Sequence, residues 1–152
     1  MAKRTIYIGS DYMGFKLKQK LATFLRTQLR ENVADMGPKK RIEGDDAIDY
    51  SVKVARTVVK NKNNFGILIC SSGHGVCITA NKIKGARASI GYNIKGAELM
   101  RLHDDANILC LASKMISFEH ACAIAKKFLE TKFEPIDRRI RRLKKLKRLE
   151  NK

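Results

Sequence analysis

Residues 65–75 read FGILICSSGHG, an apolar run that meets a loop of serine and glycine with no charged residue between them. The run Phe65–Cys70 is short and continuously apolar, which is typical of a strand buried on both faces. The turn after it leads into a helical pattern over Val76–Ile83. Strand, glycine-rich turn and helix make the unit from which parallel α/β sheets are built, so this stretch predicts one such unit.

The same alternation continues on both sides of this unit. The predicted strands are Thr5–Gly9, Val33–Met36, Phe65–Cys70, Ala86–Tyr92 and Ile108–Ala112. The predicted helices are Phe15–Leu29, Ile48–Val59, Val76–Ile83, Lys95–Leu102 and Phe118–Leu129, with a long polar loop over residues 39–47. We therefore predict an α/β fold with a single domain over residues 1–152: a three-layer α/β/α sandwich around a five-stranded parallel sheet.

Length and composition exclude several other classes. The chain has 152 residues, of which 44% are hydrophobic and 31% charged, as in an ordinary globular domain. No apolar run approaches the roughly 20 residues that span a bilayer, and the first residues lead directly into a strand-like run, so we expect neither a membrane segment nor a signal peptide. The four cysteines are widely spaced and form no CxxC pair, which favours reduced thiols, a cytoplasmic location and no metal site.

The net charge of +17 is concentrated towards the C-terminus. Residues 138–152 contain nine basic residues and one acidic residue. Apolar residues recur every three or four positions in this tail, so residues 136–152 predict a basic amphipathic helix that docks its apolar stripe. Two interpretations remain open, namely a solvated helix face with a phosphate site, or a surface for a polyanion. Because no aromatic residue interrupts the tail, a nucleic-acid partner is not expected.

Polar and nucleophilic residues occupy three places near predicted strand ends, where open parallel sheets collect their chemistry. Residues 10–12 follow the first strand, residues 70–75 end the third, and residues 103–105 precede the fifth. We expect these three groups to share one edge of the sheet. The two serines and two glycines of residues 71–75 form a loop whose backbone N–H groups can converge on an anion.

Each candidate side chain also has a structural interpretation. Cys70 precedes a helix N-terminus, which favours a thiolate base, but it is equally a small apolar residue at the end of a buried strand. Asp11 can orient a hydroxyl group of a ligand or cap the next helix, and His103 can act as an acid or as a helix cap. His74 can contact an anion or be a plain loop residue. The remaining cysteines, Cys77, Cys110 and Cys122, are expected to be buried.

Three segments together resemble the B-type ribose-5-phosphate isomerases, the family that includes the galactose-6-phosphate isomerase subunits. The segments are IGSDYMGFKLK at residues 8–18, GILICSSGHGVCITANKIKGARA at 66–88 and HDDANILCLASKMI at 103–116. The resemblance implies a homodimer or dimer of dimers, with no metal or cofactor. It also implies interconversion of ribose 5-phosphate and ribulose 5-phosphate through an enediolate, in the non-oxidative branch of the pentose phosphate pathway.

The resemblance assigns roles residue by residue. Cys70 matches the thiol base, Ser72 a residue that handles the ring oxygen, and His103 the histidine that assists ring opening, paired with Asp11. The loop amides match an anion hole for the enediolate oxygen, with the members Ser71, Gly73, His74, Gly75 and Val76. Further substrate or phosphate contacts fall on Tyr12, Asp104, Lys114, Arg138 and Arg141, and the second chain is expected to complete the site.

Several of these positions depart from the family pattern. Tyr12 replaces a histidine that helps to bind phosphate, and Ala47 replaces a tyrosine that lines the sugar site. Asp104 stands where an amide is usual, and Lys114 where an arginine is usual. Asp137 replaces the first of two arginines, Arg141 is retained, and Arg138 can supply the lost charge. The alternatives are an isomerase of a six-carbon sugar phosphate, with Ala47 enlarging the site, or a weakened enzyme that binds polyanions through its tail.

Overall fold

The computed structural model of the protein describes residues 3–151. The strands are β1 (Thr5–Ser10), β2 (Asn32–Asp35), β3 (Asn64–Cys70), β4 (Ala88–Ile90) and β5 (Ile108–Ala112). The helices are α1 (Phe15–Thr27), α2 (Ala47–Val58), α3 (His74–Ala80), α4 (Ile94–Asp104), α5 (Phe118–Glu130) and α6 (Asp137–Leu149). Lys152, the last residue of the predicted basic helix, lies outside the described residues, as do Met1 and Ala2.

All five strands lie in one parallel sheet, as predicted, in the order β2-β1-β3-β5-β4. The predicted burial on both faces holds best for β3 and β5, in which Gly66–Cys70 and Ile108–Ala112 are buried throughout. After β1 the chain adds β2 on one side and then β3 on the other. This reversal leaves a crevice between the carboxyl ends of β1 and β3, the point at which open α/β sheets bind their ligands.

Two apolar clusters cover the two faces of the sheet. On one face the core contains residues from α1, α4 and α5, including Leu21, Met100 and Phe128. On the other face it contains residues from α2 and α3, including Val54 and Val76. The predicted three-layer α/β/α sandwich is therefore confirmed.

The segment around β4 differs most from the sequence prediction. The strand was predicted over Ala86–Tyr92 but extends only over Ala88–Ile90, and the helix before it was predicted over Val76–Ile83 but runs from His74 to Ala80. The side chain of Asn81 accounts for the early end of the helix. Its Oδ1 accepts from the Ala88 N–H at 2.8 Å and its Nδ2 donates to the Ala88 carbonyl at 2.9 Å, which turns the chain towards the sheet.

The C-terminal helix α6 is amphipathic, as predicted, but its apolar stripe is only partly docked. Ile140 and Leu143 are half-buried, whereas Leu146 is 47% and Leu149 60% exposed. The buried residue of the helix is Arg139, whose guanidinium pairs with the Glu134 carboxylate. The described chain therefore leaves part of this apolar surface uncovered.

A substitution at Phe128 tests the core packing on the face of the sheet that α1, α4 and α5 cover. The side chain is fully buried and packs edge-on against Phe65, with ring centroids 5.7 Å apart. We expect Phe128→Ala to lower the free energy of unfolding by about 3–5 kcal/mol, measured by urea denaturation, because it opens a cavity. Lys126→Ala, on the exposed face of the same helix, should change it by less than about 0.5 kcal/mol. Equal effects of the two changes would contradict this description of the core.

Candidate active site

The crevice between β1 and β3 brings two of the three predicted groups together. Ser10 at the end of β1 lies in register with Ile69, the neighbour of Cys70 in β3. Gly14 packs so closely against β3 that a Cβ atom there would lie 2.7 Å from the Ile69 carbonyl oxygen. The turn that carries Asp11 and the loop that starts at Cys70 are therefore held side by side.

Cys70 lies at the base of the glycine loop. Its side chain is buried, with 6% of the residue exposed, and its Sγ accepts from the Gly73 N–H at 3.1 Å. The loop adopts this shape because Gly73 has a φ of +78°, in the left-handed region that favours glycine. The sulfur is thus both a buried strand-end atom and a hydrogen-bond acceptor of the loop, in the position where a thiolate needs a donor.

The remaining loop residues are anchored from two sides. The Ser72 Oγ accepts from the His74 N–H at 3.3 Å, and the carbonyl of Val76 accepts from the buried Ser51 Oγ at 2.7 Å. The N–H of Lys114 donates to the Ser71 carbonyl at 3.1 Å, which places Lys114 beside the loop with its side chain exposed. Of the other loop members, Gly73 is buried, and His74 and Gly75 are exposed. The loop is a shallow cradle that opens outward from Cys70.

Asp11 holds the turn before α1 through a backbone contact, but the predicted helix-cap role was wrong, because the N-cap of α1 is Gly14 and has no side-chain cap. Its Oδ1 accepts from the Gly14 N–H at 3.0 Å. Burial raises the pKa of the Asp11 carboxyl, the backbone hydrogen bond opposes this increase, and the negative charge of Asp45 adds to it. A carboxyl group whose pKa is raised retains its proton to higher pH, so more of it is protonated and available as a proton donor.

Sequence reasoning missed the part played by the polar loop before α2. Asp45 accepts from the Tyr12 N–H at 2.7 Å through its Oδ1. Arg41 donates from its Nε to the Tyr12 carbonyl at 3.1 Å, and its guanidinium carbon lies 5.2 Å from the centre of the Tyr12 ring. Burial and the neighbouring Asp45 raise the pKa of Tyr50 to about 12. No periodicity in this loop indicates which charged residue folds back onto the crevice.

The expectation that residues 103–105 share the edge with Cys70 was wrong. The Asp105 carboxylate pairs with Arg87 at 3.0 Å and with Arg101 at 2.8 Å, and Arg87 directly precedes β4. Helix α4 links two neighbouring parallel strands, so it must return the chain to their amino ends before β5 begins. The half-buried His103 and the exposed Asp104 therefore lie at the amino-terminal edge of the sheet, opposite Cys70.

The two predicted arginines lie at this amino-terminal edge as well. The Glu134 N–H donates to the Leu102 carbonyl at 3.2 Å, so α6 starts beside the end of α4. Arg138 and Arg141, in the first turns of α6, are exposed. The predicted site residues thus form two groups on opposite edges. The carboxyl-edge group contains Asp11, Tyr12, Cys70, Ser71, Ser72, Gly73, His74, Gly75, Val76 and Lys114, and the amino-edge group contains His103, Asp104, Arg138 and Arg141.

A cavity of about 650 Å³ opens at the amino-terminal edge. Its lining is mixed in character: Lys82, Arg87 and Asp104 supply charge, and Leu146 and Leu149 supply apolar surface. The two leucines are exposed apolar residues of α6 within the described chain. The cavity and the apolar stripe of α6 therefore belong to one continuous surface.

The remaining cysteines follow the prediction with one exception. Cys110 and Cys122 are buried, and burial raises the pKa of both thiols, that of Cys122 to about 11. Cys77 is only half-buried, and its Sγ lies 3.5 Å from the Ala88 carbonyl. All four cysteines are free thiols. Within residues 3–151 no His, Cys, Asp and Glu side chains cluster as a metal would require, and no helix has the length and hydropathy to cross a membrane.

A buried thiol that accepts a loop N–H at the switch point of a parallel sheet is a candidate catalytic group of an α/β enzyme. Residues 6–146 match the model of the Ribose/Galactose Isomerase family, so the chain belongs to this family of aldose–ketose isomerases.

Three relatives illustrate the similarity. The probable ribose-5-phosphate isomerase B of Mycoplasma pneumoniae is 43% identical over 129 residues, which cover 85% of this chain and 84% of the relative. The structure of ribose-5-phosphate isomerase B from Mycoplasma genitalium with bound ribulose-5-phosphate has a TM-score of 0.94 and 39% identity, covering 100% of this chain and 99% of the other. The Trypanosoma brucei type B enzyme has a TM-score of 0.92 and 33% identity, covering 97% and 99%.

Two glycines of the loop provide a matched test of its geometry. Gly73→Ala should lower the free energy of unfolding by about 1–2 kcal/mol, because alanine is strained at the positive φ of this position. An added Cβ there would also lie 3.3 Å from the backbone of Leu111. Gly75→Ala should be neutral or stabilising, since its Cβ meets open space in a helix. Urea denaturation measures both, and a neutral Gly73→Ala would contradict the described loop.

Proposed function

We propose that the protein interconverts ribose 5-phosphate and ribulose 5-phosphate, with Cys70 as the base. The observation that carries this proposal is the buried Cys70 Sγ at the sheet's switch point, which accepts from the Gly73 N–H of the glycine loop at 3.1 Å. The ribulose-5-phosphate bound in the structure of the Mycoplasma genitalium relative supports the choice of substrate. A six-carbon sugar phosphate is not favoured, because the relatives described above are named for ribose 5-phosphate.

The chemistry follows from the position of the thiol. The Cys70 thiolate takes the C2 proton of the open-chain aldose, the C–H electron pair forms the C1–C2 double bond, and the carbonyl oxygen becomes an oxyanion. Loop N–H groups of residues 71–76 donate to this enediolate, which is typically the largest stabilising effect in such reactions. Return of the proton to C1, with the O2 proton passing to O1, gives the ketose. Ser72 and Asp11 face the ring oxygen in the preceding ring opening, which needs a proton donor.

A second copy of the chain completes this site. His103, which we propose assists ring opening, lies on the opposite edge of the same chain from Cys70. Two copies related by a two-fold axis can place the amino-terminal edge of each over the crevice of the other. The uncovered apolar surface of Leu146 and Leu149 and the cavity beside them support such an interface. The complete enzyme is thus a homodimer, or a dimer of dimers, with two composite sites per pair.

The phosphate is held by groups from both copies. Tyr12 and Lys114 contribute from the carboxyl edge, and Arg138 and Arg141 of the second copy contribute from the amino edge, where Asp104 contacts the sugar. Lysine offers a point charge, whereas arginine can donate two parallel hydrogen bonds to a phosphate. Lys114 alone therefore binds a phosphate less tightly than an arginine would. The four free thiols support a cytoplasmic enzyme. We also propose a single domain over residues 1–152 that needs no metal or cofactor, as the family resemblance implies.

Replacement of the thiol tests the base. Cys70→Ala should reduce kcat for ribose 5-phosphate by about 100-fold or more in chelator-containing buffer, because a positioned base contributes at least that factor. Cys122→Ala is the matched control: Cys122 is also buried, but it lies on α5 across the sheet. This variant should retain the wild-type kcat.

The measurement is the rate of ribulose 5-phosphate formation, with allose 6-phosphate and galactose 6-phosphate tested in parallel. A Cys70→Ala enzyme within a few-fold of wild type would refute the base assignment. Turnover of a six-carbon substrate in preference to ribose 5-phosphate would refute the proposed substrate.

Mixed dimers test the composite site. Cys70→Ala and His103→Ala should each be nearly inactive alone, since every site then lacks one group. Unfolded together in equal amounts and refolded, they should recover about a quarter of wild-type activity, because half of the dimers are mixed and each mixed dimer contains one intact site. The readout is the isomerase rate as a function of the mixing ratio.

The control is a mixture of either variant with itself, carried through the same refolding. If Cys70 and His103 of the same chain formed each site, every site of the mixed dimer would lack one group. An equal mixture with no more activity than the separate variants would therefore overturn the composite arrangement.

A further inference from the structure

We infer that Arg41 binds the phosphate group of the substrate and is a determinant of specificity for phosphorylated sugars. This inference rests on the proposed function and adds a residue from the loop of residues 36–46. The sequence pattern does not single out Arg41, and its importance follows from where the loop places its guanidinium.

Two contacts hold Arg41 at the mouth of the crevice. Its Nε donates to the Tyr12 carbonyl at 3.1 Å, and its guanidinium carbon lies 5.2 Å from the centre of the Tyr12 ring. Tyr12 directly follows Asp11 at the end of β1. A guanidinium that stacks on a ring and donates to the same residue has a defined position rather than a freely moving one.

The loop that carries Arg41 is fixed at both ends. At its start, the N–H of Gly37 donates to Asp35 Oδ1 at 2.9 Å, and the fully buried Lys18 donates to the same oxygen at 2.9 Å. At its end, Asp45 accepts from the Tyr12 N–H at 2.7 Å. Both anchors tie the loop to α1, β2 and the turn after β1, so the position of Arg41 is set by the fold.

The negative charge around the crevice makes a cation at this point favourable for binding a phosphate. Asp11 and Asp45 lie close enough that the charge of Asp45 raises the pKa of Asp11, and both carboxylates would repel a phosphate. Lys114 adds a positive charge beside the glycine loop. Arg41 adds a second positive charge on the Tyr12 side, which its exposed partner Glu43 partly offsets in the free protein.

The guanidinium is available to a ligand. Its side chain is 50% exposed, and its ion-pair partner, Glu43 at 3.0 Å, is 71% exposed. An ion pair so open to solvent is weak, and a phosphate dianion offers more charge and a geometry that matches the N–H groups of arginine. Phosphate can therefore displace Glu43 without disturbing the contacts to Tyr12.

Steady-state kinetics of Arg41→Ala test this inference. The KM for ribose 5-phosphate and the inhibition constant for inorganic phosphate should each rise by about 10- to 100-fold, the range for loss of a charged hydrogen bond. The kcat should stay within about 2-fold, because the interaction is the same in the ground state and in the transition state. Arg41→Lys should give intermediate values of both constants, since it keeps the charge but loses the planar group.

Lys40→Ala is the matched control, because Lys40 is an exposed cation on the same loop. It should leave KM, kcat and phosphate inhibition unchanged. Equal effects of Lys40→Ala and Arg41→Ala would overturn the inference in favour of a general charge effect, and an unchanged KM in Arg41→Ala would overturn it outright. Failure of the proposed function looks different, since the wild-type enzyme would then not convert ribose 5-phosphate at all.

Discussion

The pairing of β1 with β3 is the constraint on which the rest of the structure depends. The ladder joins Thr5 with Asn64 at one end and Ser10 with Ile69 at the other, so both strands end at the same level. Close packing of Gly14 on the Ile69 carbonyl then allows no space between the two turns that follow. The acid at the end of one strand and the thiol at the end of the other are neighbours because of this backbone pairing, before any side-chain contact is considered.

The same parallel geometry separates the remaining groups. A helix between two parallel neighbours starts at the carboxyl edge and ends at the amino edge, so a residue at its end cannot reach a residue at the end of a strand in the same chain. Under the proposed function, catalysis and association are then coupled, because each crevice is incomplete without a second copy. The same association would explain why α6 is only partly docked, since its uncovered apolar surface would then pack against the second copy.

Local patterns in the sequence predict the fold and the placement of Asp11 and Cys70 at one edge of the sheet. Neighbouring residues determine the structure of these segments: the apolar runs form β3 and β5, and the serines and glycines after Cys70 form the loop. Placement of His103 failed because the edge on which a residue lies depends on chain direction. The contacts of Arg41 and Asp45 to Tyr12 escaped prediction for a related reason: they join residues about 30 positions apart through a loop without periodicity.

A buried charge links the core to this loop. Lys18 is fully buried, and its partner Asp35 is also the acceptor that fixes the N–H of Gly37 at the start of the loop. Such a pair offsets its desolvation cost only while both members remain, since removal of one leaves the other uncompensated. The conformation of the crevice mouth is therefore set by an interaction in the protein interior. Through Asp35, the packing of α1 against β2 helps to set where the guanidinium of Arg41 lies at the mouth of the crevice.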